Sequence, residues 1–323
     1  MNSLSPAHRF EHGMTPAAVA AAGAGAEKRF WEFFTAEIRN PNTRAAYARA
    51  AWRFLDWLAA RRLPLAAAEP LAVAAYLEEL GRSVAPPTVK QHLAALRMLF
   101  DYLVAGRVLP FNPAAAVRGP KYVVRTGKTP VLTPEEARRL LDSIDVSHVV
   151  GRRDRALIGL MVFSFARVSA ALKMRVKDYY CQGPRAFIRL TEKGGKYHVV
   201  PAHHQVRDLL ESYLEAAGIA GDRDGPLFRA SDRTRAKRLH PEGVELSRFG
   251  ALQLIKRRAR AAGLPPEICC HTFRATGITA FLLGGGDVET AARIAAHESP
   301  RTTSLYDRRS QEVELAEIER IRI

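Results

Sequence analysis

The chain is 323 residues long and carries 49 Lys and Arg against 33 Asp and Glu, a formal charge of +16 with a pI near 10.2. Hydrophobic residues at 47% and charged residues at 25% are ordinary globular usage, which excludes a largely disordered chain, and the length suits about two domains with separate cores. No run approaches the ~20 apolar residues of a membrane helix, so the charge does not flank a bilayer span.

The excess of cations is spread evenly. Residues 1–128 hold 17 basic and 9 acidic side chains and residues 129–323 hold 32 and 24, so each part carries +8. That pattern lacks the polybasic tail of a membrane anchor and fits a polyanion gripped by two domains. Only ten of the cations are lysines. The three cysteines, Cys181, Cys269 and Cys270, are odd in number and two are adjacent, which fits reduced thiols in a cytosol and not a disulfide framework.

Residues 1–28 read as a disordered tail; Pro16 to Ala26 is Ala- and Gly-rich and has no cationic leader, a poor signal peptide. A helical domain follows over 29–117. Asn42 and Thr43 are N-cap candidates for a helix bearing Tyr47, Ala51, Phe54 and Leu58 on one face. A second helix is expected over Leu71 to Leu80, ending at Gly81, and a third from Pro86, with Leu93, Leu96, Phe100 and Leu103 inward and Lys90, His92 and Arg97 off that face. A short fourth piece follows Pro113. The stretch 118–129, with four cations and no acid, reads as a basic linker. Residues 130–323 form the second domain. Thr133-Pro-Glu-Glu starts a helix, and helices continue over about Arg152 to Leu172. Three short β runs follow, at Tyr179–Cys181, Ala186–Thr191 and Tyr197–Pro201, then helices near 205–217, 248–262, 272–283, 288–295 and from 302 to the end. The fold class is mainly α, with one small three-stranded antiparallel sheet in the second domain.

Several polar residues stand at the breaks in this pattern. Arg167 interrupts an apolar helical run and needs a partner, whether a structural carboxylate or a ligand. Lys193 lies in the hairpin tip of residues 191–196, where two glycines permit a tight turn; it is either a solvated turn lysine or a group brought to a ligand, and Lys196 competes with it. His271 and Arg274 share one helical face, His297 ends an Ala-rich helix, and Tyr306 follows nine residues later. Singly, each has an ordinary structural explanation. The histidines His198, His203 and His204 and the run Cys269–His271 lack the spacing of a zinc site, so no metal and no cofactor is expected.

Together, Arg167, Lys193, His271, Arg274, His297 and Tyr306 have the order and spacing of the tyrosine recombinases, or phage-type integrases. HTFRATGIT at 271–279 and AAHESPRTTSLYD at 295–307 resemble the two most diagnostic boxes of that family, and the likeness to its Xer-type members extends over residues 29–323. The resemblance implies a helical core-binding (SAM-like) DNA domain followed by a catalytic domain. It implies a metal-independent strand transferase acting at specific double-stranded sites as a homotetramer, in integration or excision of a mobile element, with an accessory DNA-bending or directionality factor as a further partner. Tyr306 would be the nucleophile, Arg167 and Arg274 the clamp on the phosphate, His271 a base or proton relay, His297 a donor to a phosphate oxygen, and Lys193 the acid for the leaving 5′-oxygen.

Three departures stand out. Relatives usually have an acid two or three positions after the first arginine, whereas Val168–Ser169–Ala170 has none, leaving Ser169 or a distant carboxylate to orient Arg167. A Gly often precedes the later histidine, where this chain has Ala296, and Xer-type relatives have a second His where this chain has Ala275. Outside the site, Arg44, Lys90, His92 and Arg97 on helix faces, and Lys121, Arg125 and Lys128 in the linker, are candidate DNA contacts or plain solvated charges. Val313, Leu315, Ile318 and Ile321 suggest a terminal helix that packs on a neighbouring protomer. A type IB topoisomerase-like relaxase and a non-catalytic DNA-binding regulator are the alternative functions.

Overall fold

A computed structural model describes residues 14–123, 127–192, 195, 197–232, 234–235 and 237–308. The chain divides into two compact units after Val123, inside the basic segment. Among the described residues no helix is long and apolar enough to cross a membrane.

The first unit is all helical: α1 (Ala17–Ala20), α2 (Ala24–Glu32), α3 (Pro41–Ala60), α4 (Pro70–Gly81) and α5 (Pro86–Ala105). Residues 14–28 are therefore not a disordered tail. Val19 and Ala26 are buried, and Trp31 Nε1 donates to Thr15 Oγ1 at 3.0 Å. The anchor is aromatic. Phe30 and Phe34 meet Trp52 of α3, with Phe30 and Trp52 centroids 4.8 Å apart, and Phe33 packs on Phe34; rings of this size bury enough apolar surface to order the segment before them. The cap of α3 is Asn40 rather than Asn42 or Thr43. Its side chain accepts from the Asn42 and Thr43 amides, and Pro41 takes the first helical position, where no N–H is needed. Residues after Pro113 form a turn, not a helix.

The second unit holds α6 (Pro134–Asp142), α7 (Val149–Phe163), α8 (Val168–Leu172), β1 (Tyr179–Gln182), β2 (Arg185–Thr191), β3 (Tyr197–Pro201), α9 (His204–Ala217), α10 (Arg248–Ala261), α11 (Cys270–Leu283), α12 (Val288–Ile294) and α13 (Pro300–Ser304). Thr133 and Glu136 close a reciprocal capping box at α6. The strands pair antiparallel in the order β1-β2-β3. Ile188, Leu190 and Val200 face the core, while Arg189 lies over the Tyr180 ring on the other side. The expected helical run from 152 to 172 is broken at Ser164–Arg167. Phe165 takes the left-handed conformation (φ 53°), which reverses the chain between α7 and α8.

Two contacts tie these elements together. Asp154, fully buried in α7, accepts from Arg153 at 2.6 and 3.0 Å and from Arg258 of α10 at 2.7 and 2.9 Å, so its charge is paired on both oxygens. Where α11 crosses α7, Gly277 lets the backbones touch: a Cβ there would lie 1.9 Å from the Val162 carbonyl oxygen. A Gly277→Ala variant is expected to lose about 1–3 kcal/mol of stability, read as a lower urea midpoint with unchanged slope.

Candidate active site

Arg274 lies one turn into α11 and is 1% exposed. Its Nη1 donates to the Phe165 carbonyl, which the left-handed reversal turns toward it, and its Nη2 donates to the Ala295 carbonyl at 2.7 Å. Its Nε is buried with no hydrogen-bond partner among the described residues. A buried guanidinium with a free N–H is costly unless an anion completes it. Burial and the neighbouring Arg167 charge bring its pKa down to about 10, so it remains a cation at neutral pH.

Arg167 caps α8 directly after the reversal. Its Nη1 donates to Glu192 Oε2 at 2.5 Å, so a carboxylate 25 residues away, and not Ser169, holds it. Thr276 and Thr279, on the same helix as Arg274, brace the surroundings: Thr276 Oγ1 accepts from the Leu132 amide and Thr279 Oγ1 donates to the Tyr306 carbonyl at 3.0 Å.

Tyr306 follows α13 and is 8% exposed, packed with Phe165, Ala275, Ile278 and Ala295. Its hydroxyl is 2.7 Å from His271 Nε2. The His297 ring stacks on the Tyr306 ring at 10° with centroids 6.1 Å apart, and His297 Nδ1 is 2.7 Å from the buried Thr303 hydroxyl. The backbone that delivers His297 is a Schellman end to α12. The His297 amide donates to Ala292 O at 2.9 Å and the Ala296 amide to Arg293 O at 3.1 Å, with Ala296 left-handed at φ 47°. That geometry is the reason a glycine suits the position before the histidine.

Both histidines are neutral at pH 7. Loss of hydration first, then the Arg274 and Arg167 charges, lower the His271 pKa. The same causes, with His271 added, take His297 to about 4. Neutral His271 is therefore able to accept the Tyr306 proton.

The structure thus brings together five of the six singled-out residues, Arg167, His271, Arg274, His297 and Tyr306. Lys193 lies outside the described residues, as do Lys196 and Arg125. The helix-face candidates fare differently. His92 does not face outward: it is 8% exposed, bonded at Nδ1 to the Tyr76 hydroxyl at 2.8 Å, and its pKa falls to about 4 through burial. Its position one residue before the inward Leu93 puts it over α4, a contact that periodicity in α5 alone does not reveal. Arg97 donates to the Ala114 and Val117 carbonyls and Arg44 to the Ile38 carbonyl, so both guanidiniums hold backbone turns. Lys90, Lys121 and Lys128 are exposed. Sequence reading missed Glu192, Thr279 and Thr303. His198 sits apart from His203 and His204, with Nε2 2.9 Å from the Ile294 carbonyl.

Comparison with known proteins gives the family. Residues 130–312 match the phage integrase family, and residues 28–106 match the phage integrase N-terminal SAM-like domain. Tyrosine recombinase XerD of Listeria innocua is 27% identical over 270 residues, covering 82% of this chain and 87% of the relative. Tyrosine recombinase XerC of Pelobacter propionicus is 28% identical over 271 residues, covering 83% and 84%. Among solved structures, the XerH recombinase bound to palindromic difH in a post-cleavage complex shares the fold with a TM-score of 0.70 at 18% identity, covering 95% of this chain and 94% of that one. A lambda integrase dimer bound to a COC′ core site has a TM-score of 0.67 at 19% identity, covering 89% and 96%. The chain belongs to the phage integrase family, the DNA strand-transferring tyrosine recombinases.

Two outcomes follow from the His297 corner. Ala296→Gly removes a left-handed alanine and is expected to raise stability by about 1 kcal/mol in urea unfolding, the order of the left-handed penalty. Between pH 6.5 and about 4 the unfolded chain takes up a proton that folded His297 refuses, so stability falls as pH drops through that window. His297→Asn should flatten this part of the stability–pH curve relative to the wild type.

Proposed function

We propose that the protein is a site-specific DNA recombinase that cuts and rejoins strands through a 3′-phosphotyrosine, serving integration or excision of a mobile element. The observation that carries this reading is the Tyr306 hydroxyl at 2.7 Å from a neutral imidazole, beside a buried guanidinium with a free N–H. A phosphodiester needs a nucleophile, cations on its non-bridging oxygens and a proton for the departing oxygen. Tyr306 passes its proton to His271 as its oxygen attacks phosphorus, and the 3′-phosphate side stays on the enzyme. The planar forks of Arg274 and Arg167 take the charge growing on the phosphorane. His297, fixed at Nδ1 by Thr303, offers Nε2 to a phosphate oxygen. Lys193 protonates the leaving 5′-hydroxyl, which later attacks the phosphotyrosine and restores the DNA.

Exchange of strands between two sites requires the reaction to occur in pairs, so the working form is a homotetramer on DNA, acting in the bacterial cytoplasm at the nucleoid and drawing on accessory DNA-bending proteins. A lambda integrase tetramer bound to a Holliday junction, with a TM-score of 0.65, shares the fold and supports that reading. Lys90, Lys121 and Lys128 are exposed cations suited to the phosphate backbone. The relatives are named recombinases, which favours this function over supercoil relaxation or a non-catalytic regulator. The terminal segment expected to dock on a neighbour lies outside the described residues.

The test is covalent trapping on a nicked duplex made from the junction sequences that flank the gene. A Tyr306-linked adduct is expected, unchanged by EDTA and absent in Tyr306→Phe. Arg274→Lys should slow cleavage by about 10²–10³-fold while retaining DNA binding, the scale of removing one transition-state donor. Failure of the wild type to form an adduct on those junctions overturns the reading.

A further inference from the structure

Two guanidiniums directed at one phosphate repel each other until the phosphate arrives, so each needs a tether that is not the substrate. Arg274 has two, the carbonyls of Phe165 and Ala295. Arg167 follows a left-handed reversal and caps a helix of five residues, a short support for an arginine 38% exposed. The stretch just beyond this arginine, Val168–Ser169–Ala170, holds no acid, and Ala170 is buried at 2%. The next acid in the chain, Asp178, bonds the Arg175 amide at 2.9 Å and pairs with Arg189 at 3.8 Å.

Among the described residues, Glu192 is the carboxylate that reaches Arg167. Its side chain is 8% exposed and its Oε2 lies 2.5 Å from Nη1. A carboxylate so enclosed is stable as an anion only beside its cation. We propose that Glu192 is the positioning residue for Arg167, replacing from the hairpin the acid that the sequence lacks after the arginine. By holding Nη1, the carboxylate directs the remaining edge of the fork to the scissile phosphate. It also joins the end of β2 to the start of α8, two segments 25 residues apart.

This inference rests on the recombinase reading and goes a step beyond it: the position carries an acid for the sake of Arg167 and not of the neighbouring Lys193. Single-turnover cleavage of the nicked junction duplex by Glu192→Gln, which keeps shape and loses charge, tests it. Cleavage should slow on the order of 100-fold, the cost of misplacing a reacting group by an ångström, with the DNA dissociation constant within about twofold of wild type. A duplex with sulfur at the 5′-bridging position has a leaving thiolate that needs no acid. The Glu192→Gln defect should persist on it, and its disappearance would show action through Lys193 and overturn the proposal. In an Arg167→Lys background the same change should cost less than about threefold, because the two residues act as one unit. A full and independent loss there, or wild-type cleavage by Glu192→Gln, also overturns it. A wild-type protein that forms no adduct points instead to failure of the recombinase reading.

Discussion

The guanidinium of Arg274 is the contact on which the catalytic unit depends. Nearly excluded from solvent, it donates to the Phe165 carbonyl before α8 and to the Ala295 carbonyl at the end of α12. Those two segments carry Arg167 and His297. One side chain therefore fixes the separation of the segments that carry two other candidate groups, while its Nε has no hydrogen-bond partner among the described residues. Hydrogen bonds to a charged donor are about twice as strong as neutral ones, which makes a buried arginine a firm brace as well as a charge. The same burial withholds water, so the charge acts at short range with little screening.

Around that brace, the functional groups sit at interruptions of regular structure. Phe165 reverses the chain with a positive φ, and Ala296 does so again in a Schellman end. Each reversal turns a carbonyl toward Arg274 and then presents the next functional side chain within two residues. Helices supply rigidity, but a helix interior directs all its carbonyls along its own axis. The breaks free Phe165 and Ala295 to accept from elsewhere. Ala296 shows that the left-handed corner is used even with a side chain present, which is local strain retained where the geometry serves the site.

Electrostatics follow from the same packing. Loss of hydration, then the Arg274 and Arg167 charges, lower the pKa of His271 and His297, so neither adds a positive charge beside the two arginines at neutral pH. In the first unit, burial against Tyr76, then the Arg53 charge, lowers the His92 pKa in the same way. A depressed histidine pKa therefore does not by itself mark a site: burial lowers it in both units, with Arg53 adding to the effect at His92 and Arg274 and Arg167 adding to it at His271 and His297.

Much of this protein is legible from its residues in order. The spacing of His271, Arg274, His297 and Tyr306 follows from short stretches within or between adjacent helices, and the strands from Tyr179 to Pro201 follow from alternation and glycine turns. The helix breaks were only half visible, because the Ser164–Arg167 reversal interrupts an apolar pattern that reads as continuous helix. Residues 14–28 read as loose because they are mostly Ala and Gly, and the cluster that orders them, which includes Trp52 of α3, lies beyond any local window. His92, Arg97 and Arg44 looked outward because periodicity places a residue relative to its own helix and says nothing of what a neighbouring element covers. The amino-acid sequence by itself determined which chemical groups are present and which of them share a helix. Only the tertiary structure decided that Glu192 meets Arg167 and that Thr303 holds His297, because hydrogen bonds and ion pairs act over a few ångströms whatever the distance along the chain.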